Sequence, residues 1–348
     1  MSKVLRNILL SLFTIGLLLA LTVIGLGYWV VFYDNILKPQ NGSHEHEFFI
    51  STGWGYEQVK QALIDKGVIR NATTFDWVAK KMNYPQKVYA GRYVITDGLG
   101  NRALVALLRS GKQTPYNLAI HNIRTKGDLV SLVSQKLEAD SVELTQLLND
   151  TLFLAKQQLT PDNVLSIFIA NTYQFNWNTS ADEFFQRMKR EYDNFWTDDR
   201  KQKARNNGLS PFEAITLAAI VEEETAKNDE MNRIAGVYYN RLEKYMPLQA
   251  DPTVKFAVGD FTLKRILTEH LAIESPYNTY KHIGLPPGPI RIPSLLALEA
   301  VLNPEKHNYI YFCAKEDFSG YHSFASTYEE HLINARRYRD ELDRRQIR

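Results

Sequence analysis

Cysteine is nearly absent from this 348-residue sequence, which contains only Cys313. A single thiol excludes a disulfide within the chain, so the fold must be stabilised by its hydrophobic cores alone. Cys313 follows the apolar run 309–312, which predicts a buried strand carrying a core thiol.

A strong charge bias is also lacking. Lys and Arg total 41 and Asp and Glu total 39, which leaves a formal net charge of +2. This balance, without any cluster of Lys and Arg, gives no reason to expect a nucleic-acid partner. Hydrophobic residues are 45% and charged residues 23% of the chain, as is typical of a globular protein.

Metal-ligand spacing is missing as well, since no two histidines are four positions apart. His44 and His46 are two positions apart with carboxylates beside them, and a metal enzyme built on this pair is one alternative. They fall in a polar stretch with no helix to fix their spacing. A solvated linker is therefore the favoured interpretation, and no metal site is predicted.

One segment lacks charge entirely. The 25 residues from Ile8 to Phe32 include no Asp, Glu, Lys or Arg. As a helix rising about 1.5 Å per residue, this segment is about 37 Å long, which exceeds a hydrocarbon core of roughly 30 Å. Tyr28, Trp29 and Tyr33 at its end suit a membrane–water interface. The sequence therefore predicts a transmembrane helix over residues 8–32.

A cleaved signal peptide is the alternative interpretation of this segment. Its apolar core would span only about 7–15 residues before a small-x-small site. Residues 25–27 imitate that site poorly, and the apolar run continues past them. Lys3 and Arg6 precede the helix, whereas the flank after it is mainly acidic. The positive-inside rule then predicts a single-pass protein with a cytoplasmic tail over residues 1–7 and the rest of the chain on the extracytoplasmic side.

The remaining chain exceeds one typical domain, so two folded units are expected. Residues 33–46 are predicted to be a polar linker. Residues 47–115 show the order strand, helix, helix, strand, with the elements Phe48–Ser51, Tyr56–Lys66, Asn71–Met82 and Val88–Ile95. This βααβ order is that of a small wall-binding module of the LysM type, although many small α+β modules share it.

Residues 116–345 are predicted to form a second, larger domain that is mostly helical. The predicted fold class of the chain is therefore α+β. Tyr116–Ile123 predicts a strand, and helices are expected to dominate from Lys126 to about Lys203.

The most informative element begins at Ser210. Ser210 can cap a helix, Pro211 suits its first position, and Glu213 completes a capping box. Residues 214–221 are apolar on nearly every face, which predicts a helix that is buried all round. This helix runs directly into three consecutive glutamates, residues 222–224.

Three carboxylates at the end of a buried helix are unusual, because like charges repel and a buried carboxylate loses hydration. At about 100° per residue, Glu222 and Glu224 point roughly 200° apart and cannot share one face. We expect at most one or two of the three to enter a cleft and the rest to be solvated. A solvated end for all three is one interpretation. The other is a single carboxyl in a partly apolar cleft, with a pKa high enough to donate a proton near neutrality.

Two polar turns and a proline-rich segment follow, at Leu248–Thr253, Ser275–Tyr280 and Gly284–Ile290. Tyr and Asn side chains beside exposed prolines suit a sugar groove, because rings stack on pyranose faces and amides bond hydroxyl groups. Each segment alone would be an ordinary loop, but together they favour the cleft.

These segments together resemble the YceG-like (MltG) family of endolytic murein lytic transglycosylases. Five pieces match in order and separation: Ala219–Thr225, Asn240–Leu242, Leu248–Val254, Tyr277–Tyr280 and Gly284–Ile290. The single N-terminal anchor also agrees, and the resemblance covers the chain from residue 1 to about 340. One departure is Asn171, which stands where the family's Pro-Asp-Thr-Tyr segment has Asp.

The resemblance implies cleavage of the β-1,4 bond between N-acetylmuramic acid and N-acetylglucosamine without water. The muramoyl C6 hydroxyl would be the nucleophile, so one carboxyl suffices as acid and then base, and no metal or organic cofactor is required. The family's catalytic glutamate corresponds to Glu224, and Glu222 matches an earlier glutamate with a supporting role. The residues implied to line the glycan groove are Gln249, Asp251, Tyr277, Asn278 and Tyr280.

The same resemblance implies a mode of action and partners. Residues 47–115 would position the glycan strand, cleavage would be internal, and the substrate would be nascent strands at the membrane. Association with peptidoglycan synthases is a further implication of the family.

Two other functions stay open from the residues. A muramidase would hydrolyse the same bond with a second carboxylate, for which Asp251 is the candidate. A non-catalytic wall-binding scaffold that recruits synthases would leave the glutamates solvated.

Overall fold

A computed structural model describes residues 3–39, 42–263 and 265–346 of the chain. It confirms a mixed α+β fold that is mostly helical. The chain divides into two compact units. The first comprises Met1–Tyr116 and Gln174–Thr179, and the second comprises Asn117–Tyr173 and Ser180–Arg348.

The first element is the helix α1, Lys3–Phe32, whose 30 residues include no buried side chain. It is long and apolar enough to cross a membrane, as the sequence predicts. The helix begins five residues before the uncharged run, so Lys3 and Arg6 form part of its first turns. Trp29 and Tyr33 stack on one another at its other end.

The first unit contains the predicted βααβ order. Its further elements are β1 (Glu45–Ile50), α2 (Tyr56–Asp65), α3 (Ala72–Lys81), a 3-10 turn (Tyr84–Gln86), β2 (Gly91–Thr96) and α4 (Asn101–Ser110). Strands β1 and β2 are antiparallel, with Glu45 opposite Thr96 and Ile50 opposite Gly91. The core between sheet and helices includes Phe48, Leu63 and Phe75, all fully buried.

The predicted polar linker over residues 33–46 is partly folded into this unit. Ile36 is buried in the core, and the buried Asn35 donates through Nδ2 to Oδ1 of Asn101 at 2.7 Å. His46 lies in β1, with Nε2 2.7 Å from the Leu37 carbonyl oxygen, and His44 lies 3.0 Å from an oxygen of Asp97. The prediction of a solvated linker missed this packing because the partners are distant in sequence.

The end of α1 packs directly on the rest of the first unit. Asn101 donates through Nδ2 to the Val30 carbonyl oxygen at 2.8 Å. A Cβ at Gly100 would lie 2.5 Å from the Phe32 carbonyl oxygen, so this close approach requires glycine. Helix α1 and the βααβ module are therefore joined by specific contacts.

The remaining elements belong mainly to the second unit. They are β3 (Tyr116–Ile120), α5 (Lys126–Lys136), α6 (Ser141–Leu147), α7 (Thr151–Lys156), a 3-10 turn (Val164–Ile167), β4 (Asn171–Phe175), α8 (Ala181–Phe195), α9 (Asp198–Asn206), α10 (Pro211–Glu224), a 3-10 turn (Asn228–Glu230), α11 (Met231–Glu243), α12 (Asp251–Val258), α13 (Thr268–Leu271), α14 (Leu295–Leu302), β5 (Tyr311–Ala314), β6 (His322–Ala325) and α15 (Tyr328–Arg344). β3 pairs with β4, and β5 pairs antiparallel with β6.

Two of these elements refine the sequence predictions. Strand β4 interrupts the region that was expected to be helical, and it begins at the exposed Asn171. Cys313 lies in β5 as predicted, but its side chain is only partly buried. That burial raises the pKa of its thiol.

Helix α10 is the central element of the second unit. The Ser210 hydroxyl accepts from the Glu213 N–H, and the Glu213 carboxylate accepts from the Ser210 N–H at 2.8 Å, which completes the predicted capping box. Residues 214–221 are all buried, with α14 and α11 packed along the helix. The buried helix that the apolar run predicts is confirmed, and the three glutamates form its last residues.

Candidate active site

The three glutamates at the end of α10 have different surroundings. Glu224 is partly exposed, and its Oε1 accepts a hydrogen bond from the hydroxyl of Tyr238 at 2.6 Å. Tyr238 is fully buried in α11, which packs on α10. A packed helix therefore holds the phenol against the carboxyl of Glu224.

The pKa of Glu224 is raised from 4.5 to about 7, and burial is the largest cause. The Tyr238 hydrogen bond and the positive charge of Arg241 oppose this rise, whereas the negative charges of Asp251 and Glu223 contribute to it. Near neutrality the carboxyl is therefore divided between its acid and base forms. A group of this kind can donate a proton and later accept one at the same pH.

Arg241 supplies positive charge near Glu224 without an ion pair to it. Its Nε donates to the Ile310 carbonyl at 2.6 Å, and one terminal nitrogen donates to the Leu248 carbonyl at 2.8 Å. Backbone carbonyls thus fix the guanidinium in place. Arg241 forms no ion pair with Glu224, and its positive charge lowers the pKa of that carboxyl from a distance.

Glu223 lies between two arginines. Its carboxylate accepts from Arg124 at 2.8 and 2.9 Å and also pairs with Arg291. Glu222 accepts from the Ser294 N–H at 2.5 Å and lies 3.3 Å from Arg291. Glu223 and Glu224 line one cavity, within the expected limit of two, but the expectation that the remaining glutamate would be solvated is wrong, because Glu222 is largely buried beside Arg291.

Glu224 borders two cavities of the second unit. The first cavity, of about 310 Å³, is also lined by Glu223, Asp251, Lys255 and Arg265. The second cavity, of about 240 Å³, is lined by Glu224 and Thr225 with residues of the β5–β6 hairpin and α15, including Lys315, Tyr321, His322 and Tyr338. The Glu224 carboxyl group therefore lies at the edge of both cavities.

The segment Leu248–Thr253, predicted to be a polar turn, is packed into the second unit and continues into a helix. Leu248 and Thr253 are buried, and Asp251 begins helix α12. The Asp251 carboxylate accepts from the Tyr280 hydroxyl at 2.5 Å. Packing of the residues on either side therefore fixes the Asp251 side chain in the first cavity.

Gln249 has a left-handed backbone, with φ of 49°, and its N–H donates to the Thr279 carbonyl at 3.1 Å. This contact joins the two predicted turns and leaves the Gln249 side chain exposed. The structure thus places Gln249, Asp251 and Tyr280 close to one another.

Asn278 and Tyr277 have other roles in the loop. Asn278 is fully buried, and its amide donates to the carbonyls of Leu271 and Ile273. The structure therefore places this residue beneath the surface, in contrast to its predicted contact with a sugar. The Tyr277 hydroxyl lies 3.4 Å from the Asp162 carbonyl, and its ring packs on Phe256.

The proline-rich segment lies in a different part of the second unit. Residues 284–287 line a separate cavity of about 550 Å³ with Ser210 and Glu213 at the beginning of α10. Gly288 packs so tightly that a Cβ there would lie 2.0 Å from the Asp162 carbonyl oxygen. This segment therefore borders the opposite end of α10 from Glu224.

Sequence reasoning missed the partners that distinguish the three glutamates. Tyr238 and Arg241 are three positions apart and so share a face of α11. Arg241 belongs to the matching piece Asn240–Leu242, so the sequence contained a signal from which this face could have been identified. Arg124 and Arg291 are distant in the chain and gave no local signal. Among the described residues, no cluster of three or more His, Cys, Asp or Glu could hold a metal ion.

Fold and site together define a mixed α+β protein with one long apolar N-terminal helix and one carboxyl group of raised pKa between two cavities. Comparison with known proteins gives the family. A model described as the YceG-like family matches residues 48–337, and the chain belongs to that family.

Relatives with established names agree with this assignment. The chain is 30% identical over 298 residues to a Bacillus subtilis (strain 168) protein named endolytic murein transglycosylase, a match that covers 81% of each chain. A Streptococcus pneumoniae serotype 2 protein of the same name is 27% identical over 82% of this chain. The match spans only 57% of that longer relative.

A solved structure also resembles this chain. The crystal structure of a YceG-like protein from Listeria monocytogenes is 29% identical to it, with a TM-score of 0.56. The similarity covers 83% of this chain and 98% of the Listeria chain.

Proposed function

We propose that the protein is a membrane-anchored peptidoglycan lytic transglycosylase in which Glu224 is the single general acid and base. The observation that carries the proposal is the position of Glu224 between two cavities with its pKa raised to about 7. The names of the Bacillus and Streptococcus relatives supply the substrate class.

The reaction needs only one carboxyl group. Protonated Glu224 donates its proton to the oxygen of the β-1,4 bond between N-acetylmuramic acid and N-acetylglucosamine, and the bond to the muramoyl C1 breaks. The muramoyl C6 hydroxyl then attacks C1 and gives its proton to the Glu224 carboxylate. The product carries a 1,6-anhydro ring, Glu224 is protonated again, and no water is consumed.

The two cavities support internal cleavage. An enzyme that cuts within a chain must hold sugars on both sides of the broken bond, and the space beside Glu224 extends in two directions. In the first cavity, Lys255 and Arg265 add positive charge, which suits the carboxylates of peptide stems. Gln249, Asp251 and Tyr280 are the proposed sugar contacts on that side, and Glu222 supports the end of the helix.

A two-carboxylate muramidase is the nearest competing function. Asp251 lines the first cavity with Glu224 and could act as the second carboxylate. Its oxygen is, however, engaged by the Tyr280 hydroxyl at 2.5 Å, while Glu222 and Glu223 are occupied by Arg291. These contacts favour the lytic reaction over hydrolysis.

We also propose that α1 is a membrane anchor with its N-terminus in the cytoplasm. Lys3 and Arg6 at that end support the orientation. A protease added to the periplasmic side should then digest a C-terminal tag. Protection of the tag would refute both the orientation and access to peptidoglycan.

The first unit is proposed to position the glycan strand as a LysM-like module. Its βααβ order and direct packing on α1 support this role, because they would hold the strand close to the membrane. Association with peptidoglycan synthases is a further hypothesis, which the family suggests and no contact surface identifies.

The decisive experiment digests purified sacculi with the full-length protein in detergent. We expect soluble products with 1,6-anhydro-muramoyl ends by mass spectrometry, and we expect none from E224Q, which keeps the shape of the side chain but removes the acid. Full activity in cells with E224Q would instead favour a non-catalytic scaffold.

A further inference from the structure

A buried carboxylate–imidazole pair lies beside the second cavity. Glu230 is only 3% exposed, and its Oε1 accepts from the backbone N–H of His322 at 2.9 Å. Its Oε2 lies 2.9 Å from Nδ1 of the same histidine. Because the partner is a carboxylate, Nδ1 is the nitrogen that carries the proton. The carboxylate thereby fixes both the backbone and the ring of His322.

The same carboxylate connects this histidine to the end of α10. Thr225 directly follows Glu224, and its hydroxyl lies 3.5 Å from Oε2 of Glu230. That hydroxyl also accepts from the Lys227 N–H at 2.9 Å, which closes the turn after the helix. One buried group therefore holds the chain on both sides of the second cavity.

The other ring nitrogen of His322 is open. Among the described residues, 3–39, 42–263 and 265–346, none forms a hydrogen bond with Nε2 of His322. This nitrogen is also not one of the fully buried polar atoms. The His322 side chain is 13% exposed and lines the cavity that Glu224 also borders. Phe312 packs edge-on against the imidazole at 5.3 Å, which limits its rotation. Nε2 is thus a fixed polar position available to a ligand in this cavity.

The rest of the cavity suits a saccharide. Phe318, Tyr321 and Tyr338 supply aromatic rings to its wall, and Lys315 supplies donors. Aromatic faces pack against the C–H faces of pyranose rings, while directed polar groups bond the hydroxyls. A hydroxyl can donate to a neutral imidazole nitrogen or accept from a protonated one, so it matches Nε2 in either charge state.

We propose that His322 is a glycan-binding residue whose Nε2 forms a hydrogen bond with a hydroxyl of the sugar held in the second cavity. Glu230 is the positioning residue that fixes the imidazole for this contact. The inference rests on the proposed function, because it names a further contact to the same substrate. It adds no step to the reaction, since Glu224 alone completes the proton transfers.

Nuclear magnetic resonance of labelled histidine nitrogens tests the contact directly. The full chain in detergent would carry E224Q, so that an alternating tetrasaccharide of N-acetylglucosamine and N-acetylmuramic acid binds without being cleaved. We expect a proton on Nδ1 of His322 before binding and a shifted Nε2 resonance at saturation. A bare Nδ1, or an Nε2 resonance that does not change at saturation, would overturn the proposal.

Two substitutions test the roles separately. H322F keeps the aromatic contacts but removes Nε2, and we expect the tetrasaccharide to bind about three- to tenfold more weakly. E230Q replaces a carboxylate that only accepts by an amide that can donate to Nδ1, so the proton can move to Nε2. We expect weaker binding of similar size and a changed nitrogen spectrum. In the enzyme with Glu224 intact, KM should rise more than kcat falls.

Matched controls separate these effects from a loss of folding. H282F changes a histidine whose side chain is 48% exposed, and E305Q changes a carboxylate paired with Arg233, so neither should alter binding. Should E230Q fail to fold, H322F and the spectra of unaltered His322 still decide the matter. Equal binding by H322F and its control contradicts the inference.

The same design separates failure of this inference from failure of the proposed function. The binding measurements need no cleavage, so they stand even if the unaltered enzyme forms no anhydro ends. Conversely, anhydro products from an H322F enzyme with unchanged KM would leave the proposed function intact and remove His322 from the glycan site.

Discussion

Glu223 and Glu224 are neighbours in sequence, yet they lie in opposite electrostatic environments. On one side of the end of α10, which we call the arginine side, Glu223 lies between Arg124 and Arg291. On the other side, which we call the phenol side, Glu224 accepts a hydrogen bond from Tyr238, and its pKa is raised to about 7, mainly by burial. The comparison teaches that ion pairs with two arginines make one carboxylate a structural group, whereas burial beside a neutral donor leaves the next one able to exchange a proton.

Helix geometry explains how adjacent residues can differ so much. Successive side chains point about 100° apart, so Glu223 and Glu224 leave the helix toward different neighbours. Tyr238 reaches Glu224 from α11, while Arg291 approaches the other side just before α14. The predictions below test this division, beginning with the largest expected effect.

The first prediction concerns activity on the phenol side. E224Q removes the acid and base, so the release of anhydro products should fall by about 100- to 10,000-fold. Product release from sacculi, measured by mass spectrometry, gives the rate. E243Q, an exposed change on α11, is the matched control and should remain active. Comparable rates for the two variants would remove Glu224 from the reaction.

The second prediction concerns stability on the arginine side. R291M leaves Glu222 and Glu223 largely buried with fewer cationic partners, and the free energy of unfolding should fall by about 3 kcal/mol. Denaturant unfolding of the full chain in detergent measures it. R345M, which breaks a surface pair with Glu341, should cost less than about 1 kcal/mol. An equal cost for both variants would mean that Arg291 has no special structural role.

The third prediction contrasts the pH dependence of stability in the unaltered protein and E224Q. The folded pKa of Glu224, about 7, lies above its ordinary value of 4.5, so folding disfavours the ionised form. The stabilising contribution of this group to the free energy of unfolding is fully present below pH 4.5 and is lost as the pH rises through 7. Relative to E224Q, the unaltered protein should lose up to about 3 kcal/mol over that range. If the difference in unfolding free energy between the unaltered protein and E224Q did not change with pH, the raised pKa of Glu224 would be refuted.

The fourth prediction changes the charge in the first cavity. Asp251 raises the pKa of Glu224, so D251N should shift the basic limb of the pH–rate profile down by up to about one unit. The rate at neutral pH should then fall by no more than about tenfold, and the products should keep anhydro ends. D260N, on the exposed turn after α12, serves as the control. Complete inactivity of D251N would favour the two-carboxylate muramidase.

The fifth prediction is the smallest and has the opposite sign. Y238F removes a hydrogen bond that favours the ionised carboxylate, so the pKa of Glu224 should rise further. The basic limb should move up by less than about one unit. Y239F is the matched control, because that hydroxyl bonds the Val301 carbonyl instead. A downward shift in Y238F would show that the phenol has another role.

Local patterns predicted much of the fold. The uncharged run gave α1, the strand and helix signals gave the βααβ order, and the capping box with its apolar run gave α10. These features depend on residues close in sequence. The partly folded segment around Ile36 and strand β4 escaped prediction because their partners lie far along the chain.

The site was predicted less completely for the same reason. Sequence pattern limited how many glutamates could enter a cleft, and the family resemblance selected Glu224. Neither predicted that Arg124 and Arg291 would bind Glu223 or that Tyr238 would bond Glu224, because these contacts arise only when helices and loops pack. Asn278 carried a suitable sugar-binding side chain, but its burial follows from turn geometry that composition does not encode.

Digestion of sacculi in water enriched with heavy oxygen tests the central claim most directly. If Glu224 transfers the proton of the C6 hydroxyl, every new muramoyl end is anhydro, lighter than a reducing end by one water, and free of the label. Hydrolysis would instead place heavy oxygen on each new reducing end. Label-free anhydro ends that disappear in E224Q are the predicted result, and labelled reducing ends would contradict it.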